Sequence, residues 1–301
     1  MIADIKLLPE AEKLLAKWSA FNDEKPTAYH QPTDVSDWGQ LISLWKTSLE
    51  KLGRIDIVCN GAGIYEPPSS NFWNPPGISR LAEDKADASP GGYKTFDVNT
   101  TAPIRLAQIA MDYWMNEKVE GNLLWVASLG GYVHSFHTPL YFASKAAIVS
   151  FVKSLARLRT DFGIRNAAIC PGTVDVSHSP PDFDTSRTYL CRTDILTLLH
   201  LTQTPIFDRE DCRDRVQPGD LMLTPDECAS VMQDILTDPR YGDGNIVEAM
   251  AINTEAGRGV GIREVIFNGL YPTSSGYGEN NHIAEAEEKF VQRVLDKGMR
   301  E

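Results

Sequence analysis

The chain has 301 residues, 42% of them hydrophobic, enough for one full α/β domain around its own core. A net charge of −12 argues against a nucleic-acid partner, because gripping a phosphate backbone takes clustered Lys and Arg. Five cysteines, an odd number without a CxxC pair, argue against a disulfide framework and a zinc site, and the lack of a signal pattern or long apolar run makes a cytoplasmic setting the expectation.

Residues 1–5 are a short apolar run, and Pro9 opens a helical stretch to about residue 20. Residues 28–34 read as a second strand ending at Asp34. Ser36 or Asp37 caps a helix through Leu52, with Trp38, Leu41, Leu44, Trp45 and Leu49 on its buried side and Gly53 closing it. Residues 55–59 are a buried strand that runs into Asn60-Gly61-Ala62-Gly63. Strands alternating with helices predict parallel βαβ units, hence a Rossmann-like, doubly wound α/β sheet. Ligands bind at the carboxyl ends of strands in such sheets, and glycine there lets them approach the backbone.

Residues 64–92 are rich in Pro, Gly, Ser and Asn, with Phe72 and Trp73 in the middle. A loop of that length is functional or mobile, and it is read as one lip of a substrate pocket. Residues 96–113 are helical with Asn99 inside, a polar residue that either faces water or serves a site. Residues 122–127 form the next buried strand. Ser128 stands at its end, Gly130 and Gly131 follow, and a helix covers 138–151.

Tyr141 and Lys145, four apart on that helix, project from one face. A phenol of pKa near ~10 is a poor proton carrier at neutral pH. An ammonium a few ångströms away favours the phenolate and lowers that value. Ser128 can then hydrogen-bond a substrate oxygen. Taken alone, Tyr141 and Lys145 read as an ordinary helix tyrosine and a solvated lysine, because YxxxK occurs by chance in many chains. Placed after a strand, a serine and a Gly-Gly loop, they make a proton-transfer site for alcohol–carbonyl interconversion.

Residues 166–170 are a strand, followed by Pro171-Gly172-Thr173-Val174; Cys59 and Cys170 fall in strand patterns as buried thiols. Residues 177–224 are long and polar, with short helical patches that include 195–201. His134, His137 and His178 share no metal spacing, so no metal ligand is assigned. Thr224 caps a helix from Pro225 to Thr237. Residues 244–251 read as the last strand. From 257 the tail holds Gly- and Ser-containing loops and then a charged amphipathic helix over 283–297, packed on the surface or on a partner subunit.

Ser128, Tyr141-Phe-Ala-Ser-Lys145, Asn60-Gly61-Ala62-Gly63, Asn99 and Pro171-Gly172 together resemble the short-chain dehydrogenase/reductase family, in matching order from residue 2 to about 255. The resemblance implies that Tyr141 is the acid/base, that Lys145 binds the nicotinamide ribose and lowers the Tyr141 pKa, that Ser128 orients the substrate oxygen, and that Asn99 holds a relay water. It implies a nicotinamide cofactor, NAD or NADP. Asn60, Gly61 and Ala62 would lie along its adenine ribose, Asp34 at the adenine, and Thr173 and Val174 at the nicotinamide amide. Val176 stands where the family has a threonine. Some likeness to 15-hydroxyprostaglandin-dehydrogenase-like members and to natural-product reductases implies a bulky apolar alcohol or ketone, and family members commonly form homodimers or homotetramers.

A full dinucleotide-binding domain opens with a strand, a Gly-rich turn and a helix whose N-terminus holds the pyrophosphate. No GxxxGxG or GxGxxG precedes Asp34. By spacing, residues 2–5 resemble the family's second strand, which puts Asp4 where an acid selects NAD over NADP. The fold is thus expected to be N-terminally truncated, lacking the first strand and Gly-rich loop, a unit of about 30 residues. The second strand must then slide over to pair with the fourth or leave backbone groups unpaired; alternatively, residues 2–5 take the first slot themselves. One domain is expected over 1–301, with 64–92 and 177–224 as substrate-side loops and 257–301 as a C-terminal extension. Function is expected to be NAD(P)-dependent alcohol–ketone oxidoreduction. The alternative is a relative with weakened cofactor binding that performs dehydration, isomerisation or cyclisation, or serves only as an oligomer partner.

Overall fold

A computed structural model describes residues 1–18, 27–175, 195–198, 219–267 and 283–300. The strands are β1 (Ile2–Asp4), β2 (His30–Pro32), β3 (Ile57–Asn60), β4 (Gly121–Val126), β5 (Ile164–Pro171), β6 (Ile195–Leu198), β7 (Asp243–Thr254) and β8 (Gly257–Glu264). The helices are α1 (Pro9–Trp18), α2 (Trp38–Leu52), α3 (Lys94–Phe96), α4 (Ala102–Glu117), α5 (Pro139–Ser154), α6 (Leu158–Phe162), α7 (Pro225–Thr237) and α8 (Ile283–Lys297). No described helix is long and apolar enough to cross a membrane.

One sheet runs in the order β2-β1-β6-β3-β4-β5-β7-β8, parallel throughout except for the β7–β8 pair. β3 and β4 are near-continuous apolar runs because helices cover both faces. Successive side chains alternate between those faces. Leu123 and Trp125 pack with Leu44 of α2 and Leu106 and Trp114 of α4, whereas Leu124 packs with Val231 and Ile235 of α7. Gly121 lets the Trp114 indole lie flush on the start of β4; a Cβ there would come within 2.2 Å of the ring.

The helix signals hold. Asp37 caps α2 through the Gly39 and Gln40 amides, and Gly53 ends it at φ 78°. Thr224 and Glu227 form a capping box on α7. Cys59 and Cys170 are buried thiols. Trp38 is a correction. It is 48% exposed at the first helical position, where the stripe runs out of the core, with the Arg105 guanidinium over its ring.

The larger corrections concern the sheet. The central position is filled neither by β1 sliding over nor by β1 taking the first slot. β1 sits second, beside β2, and β6 lies parallel between β1 and β3, its four residues in register with Ile57 to Asn60. Ile195–Leu198 is therefore a strand, not a helical patch. Its Ile-Leu-Thr-Leu sequence suits a central strand, but nothing local distinguishes that from a helical segment of the same length. The C-terminal extension also contributes to the sheet: β8 pairs antiparallel with β7 along its length, where only loops were expected. Val176 and His178 lie outside the described residues, as does most of the 177–224 loop.

Candidate active site

The carboxyl ends of β1, β3, β4 and β5 open onto one edge of the sheet, and the expected catalytic residues meet there. Ser128 follows β4 in extended backbone, and its hydroxyl oxygen accepts from the Gly130 amide at 3.0 Å. A Cβ on Gly130 would stand 3.3 Å from the Tyr141 ring and 3.4 Å from Ser128 Oγ, so Ser128 and Tyr141 share one space that glycine keeps open. Gly131 likewise lets the turn lie against α5, where a Cβ would strike Val149.

Lys145, one turn after Tyr141, is 5% exposed and donates to the Val126 carbonyl at 2.9 Å. Its ammonium lies 5.9 Å from the centre of the Tyr141 ring. Gly63 closes the other side: a Cβ there would stand 3.4 Å from Asn99 Oδ1 and 3.5 Å from Lys145 Nζ.

Asn99 sits in a π-helical turn, Asp97–Thr101, between α3 and α4, a distortion often found at functional sites. Its side chain is 2% exposed rather than turned to water. Oδ1 accepts from the Ile64 amide at 2.7 Å, while Nδ2 donates to the Ile64 carbonyl at 2.9 Å and to Ser144 Oγ at 3.0 Å. Ser144 in turn donates to the Tyr141 carbonyl at 2.7 Å. Asn99 thus fastens the Asn-Gly-Ala-Gly loop to α5.

The electrostatics overturn one expectation. Burial pushes the Tyr141 phenol up to about 12; a hydrogen bond with Ser128 pulls the other way, and Tyr65 and Cys170 add to the rise. Lys145 does not bring the phenol down, because its ammonium is held by Val126 and set back from the ring. Burial instead pulls Lys145 itself down to about 8. At neutral pH the site holds a protonated phenol beside a mostly protonated amine.

The expected cofactor residues divide into two groups. Asn60, at the end of β3, is 4% exposed, and neither its amide oxygen nor its nitrogen has a hydrogen-bond partner. Burying an amide unpaired is costly, so this side chain fits a polar ligand group. Gly61 and Ala62 continue from it along the same edge. The stretch after β5 pairs with Leu223 through the Thr173 carbonyl and the Asp175 amide, so the Val174 N–H and C=O point the opposite way, a donor–acceptor pair matched to a carboxamide. With Tyr141 and Lys145, Thr173 and Val174 fit a nicotinamide and its ribose, and the unpaired Asn60 amide is open to the adenine ribose.

The far half fits less well. Asp4 ends β1 beside the central strand, as expected of a ribose-binding acid, and accepts from the Lys6 amide at 3.1 Å. Asp34, expected at the adenine, is already engaged by the Ser36 amide and hydroxyl at 2.9 and 2.6 Å and by Lys94 at 3.0 Å. Partial burial would raise its carboxyl, but those hydrogen bonds outweigh it and hold the group below its ordinary value. The sequence after β6 has no glycine before Gly219, so the central strand does not lead into a Gly-rich turn.

Sequence reading missed Tyr65 and Glu66. The Tyr65 ring lies 4.5 Å from that of Tyr141, and Tyr65 receives a hydrogen bond from Thr138 at 3.4 Å. Glu66 caps the start of α5. Neither belongs to a motif, and only the fold brings the 64–92 loop to a helix some 75 residues later.

Comparison with known proteins places the chain in a family. Residues 5–186 match the model of the short chain dehydrogenase family. Among curated relatives, a short-chain dehydrogenase/reductase of Penicillium rubens is 30% identical over 154 residues, 49% of this chain and 52% of the relative. Galactitol 2-dehydrogenase of Agrobacterium fabrum is 30% identical over 153 residues, 51% and 54% of the two chains. A 1-deoxy-11-beta-hydroxypentalenate dehydrogenase of Streptomyces exfoliatus is 28% identical over 142 residues, 47% of each. The chain spans about half the length of the curated relatives it matches. Among solved structures, ElxO with NADP bound superposes at a TM-score of 0.53 with 17% identity, over 82% of this chain and 85% of that one. A 3-ketoacyl-(acyl-carrier-protein) reductase from Brucella melitensis complexed with NADH gives 0.51 with 20% identity, over 73% and 76%. By the family model's match and the Rossmann-like sheet, the chain belongs to the short-chain dehydrogenase family.

Proposed function

We propose that this chain interconverts a secondary alcohol and a ketone with a nicotinamide cofactor at the carboxyl edge of the sheet. The observation that carries the reading is that Gly130 lies against Ser128 and Tyr141, Gly63 against Asn99 and Lys145, and the Lys145 ammonium stands 5.9 Å from the centre of the Tyr141 ring. When bound, the cofactor supplies or accepts the hydride. Lys145, Tyr141, Thr173 and Val174 would hold its nicotinamide side, and Asn60 its adenine ribose.

The protein's own work is proton transfer. Tyr141, protonated at neutral pH, donates to the oxygen of a carbonyl being reduced. Ser128 accepts from Gly130 and hydrogen-bonds the Tyr141 phenol, and its O–H would turn to orient the substrate oxygen. Lys145 supplies a positive charge in a desolvated setting, where it acts strongly on the developing oxyanion. A relay water at Asn99 would meet acceptor atoms, because both side-chain N–H groups are spent on Ile64 and Ser144. Exposed Phe72, Trp73 and Phe136, with the Trp73 and Phe136 rings 4.7 Å apart, line a lip suited to a bulky apolar substrate.

A second reading is acid/base chemistry without hydride transfer, such as dehydration, isomerisation or cyclisation. The glycine-free stretch after the central strand favours it. Fluorescence titration with NADH and NADPH separates the two. Saturable binding below millimolar supports the redox reading, and no saturation at millimolar cofactor overturns it.

A further inference from the structure

Glu66 lies in the long loop after the Asn-Gly-Ala-Gly turn, with a backbone φ of 36°, where side chains other than glycine's are rarely held. The residue is 1% exposed. Buried carboxylates need partners, and this one is bridged between two elements. Oε2 accepts from the Tyr141 amide at 2.8 Å, and Oε1 accepts from the Phe72 amide at 3.0 Å. The Leu140 amide also hydrogen-bonds to the carboxylate.

Two facts make this more than a loop contact. Thr138, the N-cap of α5, offers no side-chain cap, so the first free amides of the helix that carries Tyr141 and Lys145 are satisfied from the loop. A carboxylate also complements the positive end of that helix. Further, Phe72 adjoins Trp73, whose indole N–H donates to the Phe136 carbonyl at 2.9 Å, so the same carboxylate anchors the aromatic lip.

We propose that Glu66 is a positioning residue that locks the backbone of Tyr141 to the aromatic lip of the pocket, so that acid and substrate wall are set together. The proposal rests on the reading of Tyr141 as the proton donor. It requires both carboxylate oxygens to accept. Burial pushes the carboxyl above its ordinary value, while the amides of Tyr141, Phe72 and Leu140 and the neighbouring His137 favour the ionised form.

Glu66→Gln is the discriminating change. It keeps the shape but puts an N–H donor where one of two facing amides needs an acceptor. Hydrogen exchange of the full chain should show either Tyr141 or Phe72 exchanging about tenfold faster or more in Glu66→Gln, and both in Glu66→Ala, as expected for a hydrogen bond lost to a charged group. With tyrosine labelled at the ring carbon bearing the hydroxyl, the single Tyr141 resonance of the parent should broaden or split in Glu66→Ala and be partly restored in Glu66→Gln. Unchanged protection at both amides, or an unchanged Tyr141 resonance in Glu66→Ala, would overturn the proposal. Neither readout uses cofactor or turnover, so failure of the redox reading, seen as no NADH or NADPH binding by the parent, is scored separately.

Discussion

Placing β6 in the middle of the sheet makes a demand that proline can probe. A central strand gives backbone N–H groups to both neighbours, and consecutive residues alternate between them. Leu196 and Thr197 are interior to β6 and in register with Val58 and Cys59 of β3, so one of the two donates toward β3. Replacing that residue by proline deletes the donor, leaves a buried carbonyl on β3 unpaired and inserts a ring into a parallel ladder. The unpaired carbonyl alone costs about 1–3 kcal/mol. With a urea m-value of roughly 3 kcal/mol/M, the upper end of that range moves the midpoint down by about 1 M. The assay is urea unfolding read by tryptophan fluorescence, with Leu196→Pro and Thr197→Pro as separate proteins. Trp125 on β4, one strand beyond β3, and Trp114 against Ile55 report on the same sheet. If both variants unfold at the parent's midpoint, this segment does not hold the central position and β6 does not lie between β1 and β3.

The remaining predictions concern the site and its supports. Tyr141→Phe should abolish turnover under either enzymatic reading; near-normal activity would remove Tyr141 from the proton step. Lys145 is held near 8, so its positive charge is present below that pH and lost above it. NADPH affinity by fluorescence should therefore weaken as pH rises past 8, and Lys145→Met should be weak at every pH; a parent profile flat to pH 10 would deny the charge a role. Gly121→Ala forces a methyl into the Trp114 indole and should cost about 2 kcal/mol by urea unfolding, as overpacking does. Arg258 holds the Glu227 carboxyl at about 2, below its ordinary 4.5, so this pair's stability is present above pH 4.5 and lost as pH falls toward 2. Arg258→Ala should flatten the parent's acid-induced loss of Tm across that window.

The parts legible in the sequence are those whose determinants are local. The pattern of α2, its Asp37 cap and its Gly53 stop lie within seventeen residues of one another, and the Thr224–Glu227 box spans one helical turn. Ser128, Tyr141 and Lys145 could be placed because a strand end, a tight turn and one helix leave them little freedom relative to one another. β6 was not legible, since three apolar residues and a threonine fit a strand or a helix equally and its partners are set by which slot the sheet leaves open. The Tyr141 pKa was misread for a related reason. Helical spacing puts Lys145 on the same face as Tyr141, but the Val126 carbonyl, on a different element, decides where the ammonium rests.

Both misreadings bear on how the site is built. The half that carries Ser128, Tyr141 and Lys145 hangs on β3, β4, the π-helical turn and α5, joined by Asn99, Ser144 and the Gly63 and Gly130 gaps, and none of those contacts passes through the central strand. The phosphate-handling half of a dinucleotide fold depends on the turn and helix that the central strand leads into. A strand supplied from residues 195–198 satisfies the backbone of β1 and β3 without bringing a Gly-rich turn with it. Sheet integrity and pyrophosphate binding, which one βα unit ordinarily provides together, are therefore separable in this chain. Loosening β6 should unfold the sheet whatever the cofactor affinity, whereas altering Asn60 should change cofactor binding and leave the sheet intact.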